Sequence, residues 1–166
     1  MTLIPAILTY DTREQHPWRF ERFASKHVTF DIQREGLPCG DYLAKLADDD
    51  PPEACAVVER KTHSDLIGSL TTGRARFERE LEKLTAYGFK ALVIEASLPA
   101  IARGLDSSRA NPVSIIGSLI AFSQRYGLHV VFASDRRHAQ AYAWRLCERW
   151  VRDRVQARAE AAECAA

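Results

Sequence analysis

The stretch 55–61, CAVVERK, passes from an apolar run directly into three charged residues. Its valines predict that 54–61 forms a buried strand. Because alternate residues of a strand face the same side, Glu59 and Lys61 share one face and Arg60 points to the other. Charged side chains at the end of a buried strand are costly, so their presence there indicates a purpose.

The segment before this strand predicts a hairpin partner for it. Residues 40–42 read Gly-Asp-Tyr and open a second strand, 41–46. The intervening residues 47–53, ADDDPPE, are acidic and rich in proline, and we expect them to form an exposed, mobile loop. A hairpin places Asp41 beside the strand end that carries Glu59 and Lys61.

The rest of the chain alternates between strand and helix patterns. Short apolar runs bounded by turn residues predict strands at 4–10, 27–34, 91–94 and 128–133. Apolar residues at helical spacing predict helices at 16–25, 64–70, 74–87, 112–126 and from a cap at Ser134 or Asp135 almost to the end. Gly88 and Gly127 are expected to end the third and fourth helices. This order predicts an α/β sandwich with a central mixed sheet.

Side chains outside the two strands have simpler interpretations. Trp18, Phe20 and Phe23 are expected in the core. Tyr142, Leu146 and Trp150 are expected to share one face of the last helix, where aromatic residues suit either a core or a dimer interface. His63 is interpreted as a bystander, and the charges around Arg76 and Arg79 as a solvated helix face.

The composition limits the class of protein. A length of 166 residues suits one domain, and the net charge of +1 neither requires nor excludes a nucleic-acid partner. The four cysteines form no C-x-x-C pair, which argues against a disulfide framework or a zinc site and for a reducing intracellular compartment. No apolar run approaches the ~20 residues of a membrane span, and no signal peptide is recognisable, so no membrane partner is expected.

Acidic residues gather where predicted strands end: Asp11 with Glu14, Asp41, and Glu59 with Asp65. Converging carboxylates are hard oxygen ligands that suit Mg²⁺. Lys61 beside them would position an attacking water or neutralise charge on a reacting phosphate. The alternative is a surface ion pair worth ~0–1 kcal/mol, which the apolar run before Glu59 disfavours.

These motifs resemble those of the XPF-type structure-specific endonucleases, which include excision-repair, crossover-cutting and archaeal helicase-associated nucleases. The resemblance rests on GDYLAK at 40–45 and VVERKTHSD at 57–65, the family's GDY…ERKxxxD signature. It extends to YDTREQ at 10–15, DLIGSLTTGR at 65–74 and ALVIEA at 91–96. The implied fold is a restriction-endonuclease-like three-layer sandwich whose central mixed β-sheet is flanked by helices.

The resemblance also implies roles for individual residues. Lys61, Glu59 and Asp41 would be catalytic, with Mg²⁺ or Mn²⁺ as the cofactor. The metal-binding carboxylates would be Asp41, Glu59, Asp11 and Asp65. The supporting residues would be Glu14 and Arg60, and the DNA-binding residues Arg13, Arg60 and Arg74.

The activity implied is hydrolysis of DNA at flaps or forks in repair or recombination, leaving 5′-phosphate and 3′-hydroxyl ends, by a homodimer or heterodimer. We expect one nuclease domain over 1–166, with a catalytic core at about 4–133 and a terminal helix at about 135–163. The family's helix-hairpin-helix module has no counterpart after Asp135, so a separate DNA-binding partner is a further expectation. The composition suggests a cytoplasmic protein of prokaryotic or phage origin. Two alternatives stay open: a non-catalytic DNA-binding or scaffold subunit, and a phage or defence nuclease acting on unbranched DNA or RNA.

Overall fold

In a computed structural model, residues 2–164 form six strands and five helices around one sheet. The strands are β1 (Ile4–Asp11), β2 (Val28–Glu35), β3 (Tyr42–Lys45), β4 (Ala56–Lys61), β5 (Phe89–Ile94) and β6 (His129–Phe132). The helices are α1 (His63–Leu70), α2 (Arg74–Leu84), α3 (Leu98–Arg103), α4 (Pro112–Tyr126) and α5 (Arg136–Cys164). Two short 3₁₀ turns lie at Phe20–Arg22 and Pro52–Ala54.

The sheet is mixed, as predicted, with strand order β2-β1-β3-β4-β5-β6. β3 pairs antiparallel with both β1 and β4, whereas the β1–β2, β4–β5 and β5–β6 pairs are parallel. The predicted hairpin of β3 and β4 is confirmed, with Tyr42 opposite Val58. β4 is therefore a central strand, which explains its unbroken run of buried residues before the charged end.

Helices cover both faces of the sheet. On one face, α1 to α4 pack against β4 and β5 through a core that includes Leu66, Phe77 and Phe122. On the other face, α5 packs against the sheet through Ala139, Ala143 and its neighbours. The three-layer α/β sandwich predicted from the order of elements is confirmed. No helix between residues 2 and 164 is long and apolar enough to cross a membrane.

The predicted helix at 16–25 is wrong. This segment contains only the 3₁₀ turn at Phe20–Arg22 and otherwise has no regular secondary structure. Trp18 and Phe20 are nevertheless core residues, as expected, whereas Phe23 is only partly buried against them. The Trp18 ring stacks on Tyr42 with centroids 4.6 Å apart, and Phe20 meets Tyr42 edge-on. The backbone N–H of Trp18 donates to the Tyr42 hydroxyl at 2.7 Å. Tertiary packing against Tyr42, rather than helical periodicity, accounts for the aromatic spacing.

The loop at 47–53 has more anchors than its composition indicates. The Asp50 carboxylate accepts hydrogen bonds from the backbone N–H groups of Leu46 and Ala47 and pairs with Arg158 of α5. Just after the loop, the indole N–H of Trp150 donates to the Ala54 carbonyl at 3.1 Å. The acidic loop is therefore tied to the terminal helix.

Two helix details also differ from prediction. The face of α5 that packs on the sheet carries Ala143, Trp144 and Cys147, and Tyr142 is half exposed. The small side chains of Ala143 and Cys147 let the helix approach the sheet closely. Helix α2 ends at Leu84 rather than at Gly88. Gly88 instead allows a close backbone contact, because a Cβ atom there would lie 2.1 Å from the Glu53 carbonyl oxygen. Gly127 does end α4, with φ of 62°.

Candidate active site

A polar cleft of about 840 Å³ opens where β1 and β4 end. Its walls come from the segment after β1, the end of β4, and α1 with the turn that follows it. Asp41, Lys61 and Asp65 line this cleft. Three further charged residues selected from the sequence, Arg13, Glu14 and Arg60, line the same open space.

Asp41 is held by the backbone on three sides. Gly40 before it has φ of 73°, and a Cβ atom there would lie 2.4 Å from a Val57 methyl group, so only glycine fits. The Asp41 N–H donates to the Val58 carbonyl and its own carbonyl accepts from Asp11, both at 2.9 Å. Its carboxylate accepts the N–H of Arg60 at 2.7 Å. The Gly-Asp pair therefore fixes a carboxylate beside the end of β4.

Glu59 and Lys61 form the other half of the site, on one face of β4 as predicted. Lys61 Nζ lies 2.6 Å from Glu59 Oε1 and 4.9 Å from the centre of the Phe77 ring. Glu59 is only 7% exposed. The pair is too buried for a solvated surface ion pair.

The electrostatics of this group are unusual for carboxylates. Burial, reinforced by the neighbouring Glu59, raises the pKa of Asp41 to about 7. Burial also raises the pKa of Glu59, and Lys61 offsets only part of that effect. Burial alone would lower the pKa of Lys61, but the Glu59 carboxylate outweighs it and holds that pKa above its ordinary value. Lys61 therefore stays cationic between two acids that resist ionisation together.

Asp11, predicted as a metal ligand, is already fully engaged. Its carboxylate accepts a two-point contact from the Arg13 guanidinium, at 2.8 and 2.7 Å. It also accepts the backbone N–H groups of Arg13 and Leu37. The Arg13 contact holds the pKa of Asp11 down at about 2. These contacts make Asp11 a buried structural anchor for the loop after β1 and favour that role over metal binding.

Asp65 lies on the cleft wall at the start of α1. Its carboxylate accepts the Thr62 hydroxyl at 2.7 Å, and its own N–H donates to the same hydroxyl at 3.2 Å. This reciprocal contact is a helix cap. His63, next to Thr62, does not line the cleft.

Arg60 points to the opposite face of β4, as alternation predicts. Its guanidinium binds both oxygens of Glu95, at 2.7 and 3.2 Å, and Glu14 at 3.2 Å. With its side chain 11% exposed and its donors engaged by carboxylates, Arg60 fits the supporting role better than a DNA contact. Glu95 was not selected as a site residue from the sequence, although its position directly after β5 was visible there.

Of the two arginines Arg74 and Arg76 of α2, it is Arg76 that lines the cleft. Arg74 donates to the Ser118 hydroxyl at 2.8 Å, pairs with Glu78 and lies over the Phe122 ring, so it fastens α2 to α4. Arg76 lines the cleft instead. Its side chain is 74% exposed and meets Glu80 only at 3.6 Å. Periodicity does not reveal which side of the helix faces the cleft.

The residues present fit a divalent cation in part. Asp41 and Glu59 offer two carboxylates near the end of β4, where burial raises both pKa values, and a bound cation would offset the cost of keeping both ionised. Mg²⁺ is commonly held by one or two carboxylates and completes its shell with water. Among residues 2–164 no group of three or more His, Cys, Asp or Glu side chains is arranged to hold a metal. The four metal-binding carboxylates implied by the resemblance stay a prediction, and Asp41 and Glu59 are the two that the neighbouring lysine and the end of β4 bring together.

The sheet order and the carboxylates at the end of β4 define the class: a restriction-endonuclease-like α/β fold. Within that class the chain belongs to the ERCC4 domain family, whose sequence model matches residues 10–145. The resemblance to the XPF-type family drawn from the motifs is confirmed. Among curated proteins, no sequence matches this chain.

Two solved structures share the fold. XPF from Aeropyrum pernix is 20% identical with a TM-score of 0.63, over 95% of this chain and 69% of that one. The same protein in complex with DNA is 23% identical with a TM-score of 0.62, over 90% of this chain and 65% of that one. The likeness at this identity establishes the fold, and the chain spans about two thirds of its relative's length.

Proposed function

We propose that this protein is a divalent-metal-dependent endonuclease that hydrolyses phosphodiester bonds in DNA. The observation that carries the proposal is the group of Asp41, Lys61 and the buried Glu59, of which Asp41 and Lys61 line an open polar cleft, in a member of the ERCC4 domain family. A non-catalytic subunit would have no need to retain two costly buried acids beside a lysine.

Asp41 and Glu59 would hold Mg²⁺ or Mn²⁺. Such an ion supplies Lewis-acid stabilisation of phosphate charge and lowers the pKa of water in the site. The protein's own part is to orient the two carboxylates: Arg60 holds Asp41 through its backbone N–H, and Lys61 holds Glu59 through its ammonium group. Asp65 lies on the cleft wall, where it would contact the metal ion through a water molecule.

Lys61 acts as a cation in this scheme. Its raised pKa keeps the ammonium group charged at neutral pH, so it does not serve as a general base. A fixed positive charge held at a largely buried position stabilises the negative charge that develops on phosphate oxygens. The Phe77 ring at 4.9 Å and the Glu59 contact keep the ammonium group in place.

DNA, and branched DNA in particular, is the proposed substrate. The solved relative from Aeropyrum pernix is described in complex with DNA. Arg13 and Arg76 stand exposed at the cleft, where they suit contacts to phosphate. The proposed role is in repair or recombination, with the described domain acting as a single nuclease unit.

We further propose that the protein works as a dimer built on the β6 edge of the sheet. β6 is the outermost strand, and apolar grooves lie on both sides of it, meeting at Phe132. Ile120 of α4 is 56% exposed in one groove, and Tyr142 of α5 is 51% exposed in the other. Open strand edges with apolar surroundings favour pairing with another chain.

The proposal is tested by incubating labelled flap, fork, linear duplex, single-stranded DNA and RNA with Mg²⁺, with Mn²⁺, or with a chelator. Cleavage of flap or fork substrates only when metal is present is the expected result. Cleavage confined to unbranched DNA or RNA would replace the branched substrate with the defence-type alternative. Tight DNA binding without cleavage under any metal condition would leave the non-catalytic subunit.

A further inference from the structure

Glu95 occupies a junction behind the cleft that the proposed chemistry does not use. It follows β5 directly, and its backbone N–H donates to the Lys61 carbonyl at 2.8 Å. This backbone hydrogen bond joins Glu95 to Lys61, the last residue of β4. The Glu95 side chain, 9% exposed, points to the face of the sheet on which Arg60 lies.

Glu95 gathers donors from separate parts of the chain. Its Oε1 atom accepts from Arg60 Nε at 2.7 Å and from the Trp18 indole N–H at 2.8 Å. Its Oε2 atom accepts from a second Arg60 nitrogen at 3.2 Å. Arg136, at the start of α5, approaches Oε1 at 3.5 Å. A carboxylate with two arginines and an indole around it is held tightly in place.

The same contacts fix the segment that forms one cleft wall. Glu14 accepts a hydrogen bond from Arg60 Nη1, the remaining guanidinium nitrogen, at 3.2 Å and accepts the His16 N–H at 2.9 Å. Arg136 donates to the carbonyls of His16 and Pro17, both at 2.8 Å. Glu14 and His16 line the cleft. The wall of the cleft therefore depends on the arginines that Glu95 organises.

Arg60 transmits this arrangement to the reacting side of the sheet. It lies between Glu59 and Lys61, and its backbone N–H is the donor that holds the Asp41 carboxylate. The residue whose side chain Glu95 binds is therefore the one whose backbone N–H holds Asp41.

We propose that Glu95 is a positioning residue: by clamping Arg60 and Trp18 it sets the geometry of Asp41 and Glu59 as a metal-binding pair. The inference rests on the proposed function and deepens it. Partners that orient metal-binding side chains typically matter by about 10- to 100-fold in metal affinity or activity. Glu95 makes no contact with Asp41 or Glu59 itself, so it acts through Arg60.

The test compares Glu95→Ala with Glu148→Ala. Glu148 is a suitable control because it is also a buried glutamate, 4% exposed, paired with an arginine and a serine hydroxyl, but it lies on α5 away from the cleft. Mn²⁺ affinity without DNA is measured by calorimetry, single-turnover cleavage at saturating DNA gives the rate, and thermal melting gives the stability. Glu95→Gln keeps the side-chain volume and serves if Glu95→Ala does not fold.

We expect Glu95→Ala to weaken Mn²⁺ binding and to slow cleavage, each by about ten-fold or more, with Glu95→Gln intermediate. Glu148→Ala is expected to lower the melting temperature while both other quantities stay within about two-fold of the wild type. Wild-type Mn²⁺ affinity and rate in Glu95→Ala, or parallel losses in both variants that follow the melting temperature, would overturn the positioning role alone. A wild-type protein that neither binds Mn²⁺ nor cleaves would overturn the proposed function and this inference with it.

Discussion

Asp41 illustrates what a buried carboxylate costs the fold that carries it. Burial and the neighbouring Glu59 raise its pKa to about 7, whereas an aspartate in an unfolded chain has a pKa of about 3.9. The folded protein therefore binds this proton more tightly than the unfolded chain does. Without metal, the contribution to stability is present below about pH 4 and is lost as the pH rises to about 7.

Replacing Asp41 by Asn should therefore stabilise the metal-free protein. The amide oxygen still accepts the Arg60 N–H, and the charge beside Glu59 is removed. We expect a gain of about 1–4 kcal/mol at pH 7.5, shrinking towards zero near pH 4, measured by denaturant unfolding in a chelator. Excess Mg²⁺ should raise the melting temperature of the wild type but not of this variant.

The exposed Asp106 provides the matched control, because Asp106→Asn removes the same charge from a residue that does not line the cleft. It should change stability little at either pH. An Asp41→Asn variant that is less stable than the wild type at pH 7.5 would show that Asp41 is not under electrostatic strain.

At the residue scale, strand alternation predicts which side chains of β4 share a face. Which residues of the helices line the cleft depends on tertiary packing, and the sequence does not predict it. Glu59 and Lys61 share a face because a strand leaves no other arrangement. Arg74 was selected from its motif, but which side of α2 meets the cleft depends on how α2 packs on α4, and Arg76 faces the cleft instead. Glu95 contacts Trp18 and Arg60, which lie 77 and 35 positions away along the chain, and no local pattern reveals such contacts.

At the scale of elements, the β3–β4 hairpin and the helices with clear caps were predictable. The Asn111 side chain accepts the Val113 N–H at 2.9 Å and so begins α4 where Pro112 predicts. The structure of segment 16–25 was not predictable. Its aromatic residues have helical spacing in the sequence, but they pack into a core that includes residues of β3 and α5. The end of α2 was predicted too late because a glycine after a helical pattern is typical of a helix cap, whereas Gly88 is needed for a close backbone contact with Glu53.

The role of Gly88 gives a prediction about packing between elements. Gly88→Ala would place a methyl group against the Glu53 carbonyl oxygen, a backbone atom that cannot move aside, and near the Trp150 ring. We expect a loss of about 1–3 kcal/mol in the free energy of unfolding.

Gly117 in α4 is the matched control, since a Cβ atom there meets nothing within 4 Å. Gly117→Ala should be neutral or stabilise the helix by up to about 1 kcal/mol. Equal effects of the two substitutions in urea unfolding would contradict the close-contact role of Gly88.

Across the whole molecule, the two halves of the surface differ in character. The cleft at the ends of β1 and β4 is polar, while the β6 edge is surrounded by exposed apolar side chains. Val113, 77% exposed, and Ile120 both project from α4 on this side. None of the residues that line the cleft lines either of the apolar grooves beside β6.

Ile120→Glu should therefore weaken self-association without unfolding the protein. Light scattering coupled to gel filtration is expected to show a dimer for the wild type and a monomer for the variant. Leu3→Glu is the control, because Leu3 is also an exposed apolar residue, 41% exposed, but lies beside Val28 and Thr29 of β2 at the opposite edge of the sheet. A wild-type protein that is monomeric at micromolar concentration would contradict the homodimer and leave a different partner chain for this surface.

Single-turnover cleavage of one labelled fork substrate by the wild type and by Lys61→Met tests the central claim most directly. The fixed charge of Lys61 between Glu59 and the cleft is expected to contribute at least about 100-fold to the rate. DNA binding, followed by fluorescence anisotropy, should change little, and Lys26→Met, on an exposed lysine outside the cleft, should cleave like the wild type. A Lys61→Met variant that cleaves at the wild-type rate would contradict the assignment of Asp41, Glu59 and Lys61 as the catalytic group.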